Sequence, residues 1–227
     1  MIEIVPAILP KSYAELEEKL ALVRDAAPVV QIDAVDGVFA PNKTWPYAGG
    51  EMFSSIISQE RGMPLWEDFD FQFDCMVSHA LRDAQDFVRA GASSLVIHGA
   101  GKDARETLEA LQEERAGEFG VELGLALLPG EEAETFAQYK ELVDFVQVMG
   151  IAKVGFQGSE FDPRALTLIA KLRRDNPGLT IQVDGGVKME NAREIARAGA
   201  NRLVVGSAIF SHAEPRAAIE ELKRVVK

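Results

Sequence analysis

The chain has 227 residues, 47% of them hydrophobic and 26% charged, which is the size and make-up of one α/β domain able to bury a full core. Its net charge of −12 excludes nucleic acid and anionic membrane as partners, since both demand a basic face, but leaves room for small phosphorylated ligands held by backbone N–H groups. The lone cysteine, Cys75, rules out an internal disulfide, and with no apolar run of about 18 residues and no cleavable leader a cytoplasmic protein is expected.

Residues 1–9 read as a first strand, and Ser12 is a plausible N-cap for a helix carrying Leu16, Leu20 and Val23 at helical spacing. Val29, Val30 and Ile32 have the β-branched character of a parallel strand covered on both faces. Asp33 and Asp36 follow just before a turn at Gly37, so both acids are expected at an open, ligand-facing strand end. A loop over 41–50 with Trp45 and Tyr47 leads to a short helix from Glu51 to about Ser58. Strand three spans 69–77 with Asp70, Gln72 and Asp74 at alternate positions, and Ala80, Ala84, Phe87 and Val88 mark the next helix.

Strand four covers 95–97 and runs into His98, and the 106–112 region has helical periodicity. Residues 121–128 and 143–149 read as strands five and six around a helix near 131–139. A glycine-containing loop from Gly150 to Gly158 follows. Pro163 opens a helix with Leu166, Ile169 and Leu172 that ends at Asn176-Pro177-Gly178. Strand seven, 180–183, ends in Asp184-Gly185-Gly186. A helix over 191–197 leads to strand eight, 203–205, and Gly206-Ser207 precedes the last helix.

Eight strands alternating with helices over this length predict a single (β/α)8 TIM barrel spanning 1–227. Residues 89–97 (RAGASSLVI) and 197–205 (RAGANRLVV) repeat one junction, a glycine that stops a helix followed by a β-branched strand. A doubly wound sheet is the alternative, but strand one is not followed by a G-x-G-x-x-G turn.

Three adjacent strand ends carry glycine turns suited to a phosphate: Gly155 and Gly158, Gly185 and Gly186, and Gly206 with Ser207. Asp33, Asp74 and Asp184 are expected to share one barrel mouth with Gln31 beside them. Carboxylates that close need raised pKa values or a cation, and an oxygen-only set suits magnesium or manganese better than zinc or iron. The alternative is no metal, with Gln31 and Asp74 as hydrogen-bonded fillers. His98 is open between acid, ligand and satisfied polar residue. His79 and His212 are expected at the surface and Cys75 in the core, while Lys153 suits a Schiff base only if buried.

Pro6-Ala7-Ile8-Leu9, Asp33 to Gly37 with Phe39, Pro41 and Asn42, Gly155 to Gly158, Val183 to Gly186, and Gly206 to Phe210 together resemble the ribulose-phosphate 3-epimerase family, in order and over nearly the whole chain. The resemblance implies a phosphate-binding (β/α)8 fold, interconversion of ribulose 5-phosphate and xylulose 5-phosphate, and Asp33 and Asp184 as metal-bound acid and base on opposite faces of C3. Gln31 and Asp74 stand where the family has two metal-binding histidines, Ala7 stands where it has serine, and the Asn-Pro expected between Met149 and Gly155 is missing. Three readings follow: an epimerase-like isomerase of a ketose phosphate, a metal-free lyase or isomerase on the same scaffold, and a non-enzymatic sugar-phosphate-binding protein. The expected partner is a small phosphorylated sugar, with the choice between monomer and homo-oligomer open.

Overall fold

A computed structural model of the chain describes residues 2–117 and 120–227, apart from the side chain of Glu51. Met1, expected to begin the first strand, lies outside the described residues. β1 (Glu3–Ile8) leads to α1 (Tyr13–Val23), and β2 (Val29–Val35) to α2 (Glu51–Ile57). β3 (Asp70–Met76) is followed by α3 (Ala80–Arg89), and β4 (Ala92–His98) by α4 (Ala104–Ala110) and α5 (Gln112–Ala116). β5 (Glu122–Leu127) and α6 (Ala133–Tyr139) precede β6 (Phe145–Met149) and α7 (Arg164–Asp175). Then come β7 (Thr180–Asp184), α8 (Met189–Ala198), β8 (Arg202–Val205), the one-turn α9 (Ser207–Phe210) and α10 (Pro215–Val225).

The eight strands pair in parallel in chain order, and β8 closes on β1, giving a (β/α)8 barrel. Ser12 caps α1 as expected, its hydroxyl accepting from the Glu15 N–H at 3.2 Å. The repeated junction is explained by Gly91 and Gly199, whose φ values of +96° and +124° end α3 and α8 in a conformation that side chains resist. β4 is longer than 95–97, because its pairing runs from Ala92 opposite Phe71 to His98 opposite Ala126. That places His98 within the barrel wall. The short helices α5 and α9 are additional to the expected set. Among the described residues no helix is long and apolar enough to cross a membrane.

Alternate strand residues face two different interiors. The outward set, including Ile32, Phe73, Leu95, Leu125, Val146, Ile181 and Leu203, packs against Leu16, Phe87, Leu108, Ile169, Ile195 and Ile219 of the surrounding helices. Phe73 and Phe87 stack with ring centres 4.5 Å apart, and each such buried ring stabilises the fold by roughly 1.5–3 kcal/mol. The inward set is unusual for a barrel, because four buried glutamines, Gln31, Gln72, Gln147 and Gln182, replace the expected branched aliphatics across its middle. Phe145 fills the space beside them. A Cβ at Gly124 would overlap that ring, so glycine is the residue that fits there.

Candidate active site

The carboxyl ends of β2, β3 and β7 bring three acids together inside the barrel. Asp33 and Asp74 are register partners on adjacent strands, and Asp184 ends β7 opposite Met149. One oxygen from each lies within 4.8 Å of the others, and all three side chains are buried. The backbone under Asp33 is fixed by Thr44, whose hydroxyl donates to the Asp33 carbonyl at 2.6 Å while accepting from the Val35 N–H at 2.8 Å.

Gln31 bridges the pair. Its Nε2 donates to Asp33 Oδ1 at 2.7 Å and to Asp184 Oδ2 at 2.9 Å. Asp74 is held separately, by His98 Nε2 at 2.7 Å on Oδ1 and by the Gln147 amide at 3.2 Å on Oδ2. Below them Gln182 Nε2 faces the carbonyl oxygens of Gln31, Gln72 and Gln147 at 3.2, 2.7 and 2.5 Å. Two N–H groups serve three acceptors there, and among the described residues Gln182 Oε1 is buried without a partner, at a cost of about 1–3 kcal/mol.

Burial pushes the Asp33 carboxyl well above its ordinary range, and the charges of Asp184 and Asp74 add to the shift against the hydrogen bond from Gln31. Asp184 is pushed up to about 7 by burial and by Asp74, with Gln31, His98 and the Gly185 N–H pulling the other way. The pair therefore holds a proton at neutral pH that ordinary carboxyls would have released, with Asp184 near half ionised. A protonated and an ionised carboxyl side by side are what proton removal and return at one carbon require.

Asp33 and Asp184 line a cavity together with all six glycine-turn residues named from the sequence: Gly155, Gly158, Gly185, Gly186, Gly206 and Ser207. Not every glycine is there for a ligand. A Cβ at Gly186 would come within 2.7 Å of Phe161 Cα, and one at Gly185 within 2.7 Å of Ile151, so packing alone demands both. Gly155 has φ +89°, and its carbonyl accepts from Asn42 Nδ2 at 2.9 Å, tying the loop after β6 to the loop after β2.

Asp36 requires a correction, because it does not join the mouth acids. Its Oδ1 accepts from the N–H groups of Val38 and Phe39, both at 2.8 Å, and its Oδ2 from the Ser78 N–H at 2.7 Å. Partial burial raises its pKa, but these donors outweigh that and hold the carboxyl below its usual range. Asp36 organises the turn beside the site. Lys153 is exposed, which removes the condition for a Schiff base, and His79 and His212 are exposed as expected. Cys75 is buried in the outer core, where burial raises its thiol pKa. Residues missed at the sequence level are Gln147, Gln182, Thr44 and Gln157; for Gln182 the signal was its parity with Asp184, two residues on along the same strand.

The carboxylates of Asp33, Asp74 and Asp184 form an oxygen-only donor set whose spacing and charge fit a hard divalent cation. Gln31 was expected to add its carbonyl oxygen. Instead it presents its amide nitrogen to the acids and its oxygen to Gln182, so it would join the set only after a half-turn of the amide.

A sequence model described as the ribulose-phosphate 3 epimerase family matches residues 3–210. The ribulose-phosphate 3-epimerase of Escherichia coli strain K12 is 32% identical over 226 residues, covering 97% of this chain and 94% of its own. That of Bacillus subtilis strain 168 is 30% identical over 230 residues, covering 98% and 99%. Among solved structures, 3-hexulose-6-phosphate synthase from Salmonella typhimurium superposes with a TM-score of 0.73 at 17% identity, covering 99% of this chain and 98% of that one. KGPDC from Streptococcus mutans gives 0.69 at 15% identity, covering 100% and 97%. At such identities these two structures speak for the barrel alone.

Proposed function

The chain belongs to the ribulose-phosphate 3-epimerase family, and on that premise we propose that it is an enzyme inverting C3 of a ketose phosphate, interconverting ribulose 5-phosphate and xylulose 5-phosphate. The observation that carries this reading is the bridged pair, Asp33 and Asp184 on one Gln31 amide, facing a cavity bordered by glycine turns. The Asp184 carboxylate takes the C3 proton, and the Asp33 carboxyl returns one to the opposite face. In the reverse direction the roles exchange. Gln31 remains hydrogen-bonded to both groups as their protonation states swap, so neither acid has to move.

The phosphate is bound through N–H groups of Gly186, Gly206 and Ser207 under the loop bearing Gly155 and Gly158, an arrangement that needs no basic side chain. Asp33, Asp74 and Asp184 would hold magnesium or manganese in preference to zinc or iron. When bound, such a cation supplies positive charge beside the developing enediolate oxygen. A second reading dispenses with it and is favoured by one observation: the Gln31 amide already places two N–H groups between the acids.

The test is conversion of ribulose 5-phosphate to xylulose 5-phosphate followed by NMR, with chelator and then with added manganese or magnesium. We expect conversion, and a loss of about 10²–10⁴-fold in Asp33→Asn and in Asp184→Asn. Tight phosphosugar binding without conversion under any of these conditions would instead identify a binding protein.

A further inference from the structure

Gln157 stands in the loop after β6 between Gly155 and Gly158, yet its side chain reaches across the cavity to β1 and β8. Its Nε2 donates to the Ala7 carbonyl at 2.9 Å. The same nitrogen would overlap a Cβ at residue 206, and Cδ would lie 2.9 Å from it. The Gln157 carboxamide therefore lies directly against the turn from β8 into α9. Ala7, Gln157, Gly206 and Ser207 all line the cavity that Asp33 and Asp184 face.

An amide nitrogen carries two N–H groups. One is used on Ala7, and among the described residues Gln157 makes no second side-chain hydrogen bond. The remaining N–H belongs to a side chain pinned against the turn whose backbone N–H groups begin α9. It adds one donor to that turn, at a position where Ala7 offers only a methyl group. An acceptor with several charged oxygens is the ligand chemistry such a cluster of donors selects.

We infer that Gln157 is a specificity-determining residue, its free amide N–H donating to a phosphate oxygen of the ligand held at Gly206 and Ser207; this rests on the phosphosugar reading above. A hydrogen bond to a charged oxygen corresponds to about 10–100-fold in affinity. Glutamate at this position would keep the shape but set a carboxylate against both the Ala7 carbonyl and the incoming anion, so it should weaken binding more than alanine does.

The experiment is calorimetric titration of inorganic phosphate and of ribulose 5-phosphate into wild type, Gln157→Ala and Gln157→Glu, with thermal melts of each. Because residue 157 is exposed, the melts should agree within a few degrees. The expected result is a loss of about 10-fold or more in Gln157→Ala for both ligands, and a larger loss in Gln157→Glu. Unchanged or tighter phosphate binding in Gln157→Ala would overturn the inference, showing the amide to be a bystander or a plug. That outcome leaves the epimerase reading standing, whereas phosphate binding without conversion by wild type defeats the epimerase reading alone. A wild type that binds neither ligand would defeat both.

Discussion

The raised pKa of Asp184 makes stability fall with pH over a window that can be worked out. The group ionises near pH 7 in the folded chain against an ordinary value of 3.8, so between those limits the folded state holds a proton that the unfolded state has released. The stabilisation from that proton is complete below pH 3.8 and is lost as pH rises through 7. The slope is about 1.4 kcal/mol per pH unit, so the interval amounts to roughly 4 kcal/mol. For a chain of this length that is on the order of 8–16 °C in melting temperature. Asp33, raised in the same direction, adds to the fall. Asp184→Asn carries no proton to lose and relieves the repulsion from Asp74. Thermal melts with chelator, from about pH 4 to pH 8, should therefore show the variant more stable than wild type at the upper end and nearly equal at the lower. Parallel pH profiles for the two proteins would refute the reasoning.

Manganese or magnesium should raise the wild-type melting temperature at neutral pH by neutralising the acids, with Asp74→Asn reducing the rise; no shift with either ion would favour the cation-free reading. Gly124→Val should cost about 1–3 kcal/mol or more in urea unfolding, because its side chain must displace the Phe145 ring, and an unaffected midpoint would show that the ring has room to move. Asp36→Ala strips the acceptor from three backbone N–H groups and should cost about 2 kcal/mol in the same assay, with no gain in the pH dependence that Asp184 controls.

The barrel was legible because a strand covered on both faces leaves a dense β-branched signature, as at Val29 to Ile32, and because its turns carry glycines at fixed places. Asp33 and Asp184 were legible for the same reason, as each stands at or near the end of such a strand, whereas Asp74 showed only through its alternation with Asp70 and Gln72. What separated Asp33 from Asp36 was not, since both precede the turn at Gly37, and only the three backbone donors around Asp36 show that its carboxylate is spent on the loop. The glutamine layer was half visible: Gln31, Gln72 and Gln182 each stand two residues before an acid, a parity that puts both on one strand face. Which end of the Gln31 amide meets the acids depends on Asp184 and Gln182, more than 150 residues away in the chain, and no local pattern encodes that. Gln157 was hidden differently, because its partner is the Ala7 backbone carbonyl, which any residue would supply.

The claim that two acids act on opposite faces of one carbon is tested most directly by deuterium incorporation at C3, followed by NMR in heavy water for each epimer offered separately. Wild type should exchange the C3 hydrogen of both ribulose 5-phosphate and xylulose 5-phosphate. Asp33→Asn and Asp184→Asn should each abolish conversion while retaining exchange from only one epimer, and a different epimer in each variant, because the surviving carboxylate still reaches its own face. Conversion without solvent deuterium at C3, or two variants with the same exchange pattern, would contradict the account.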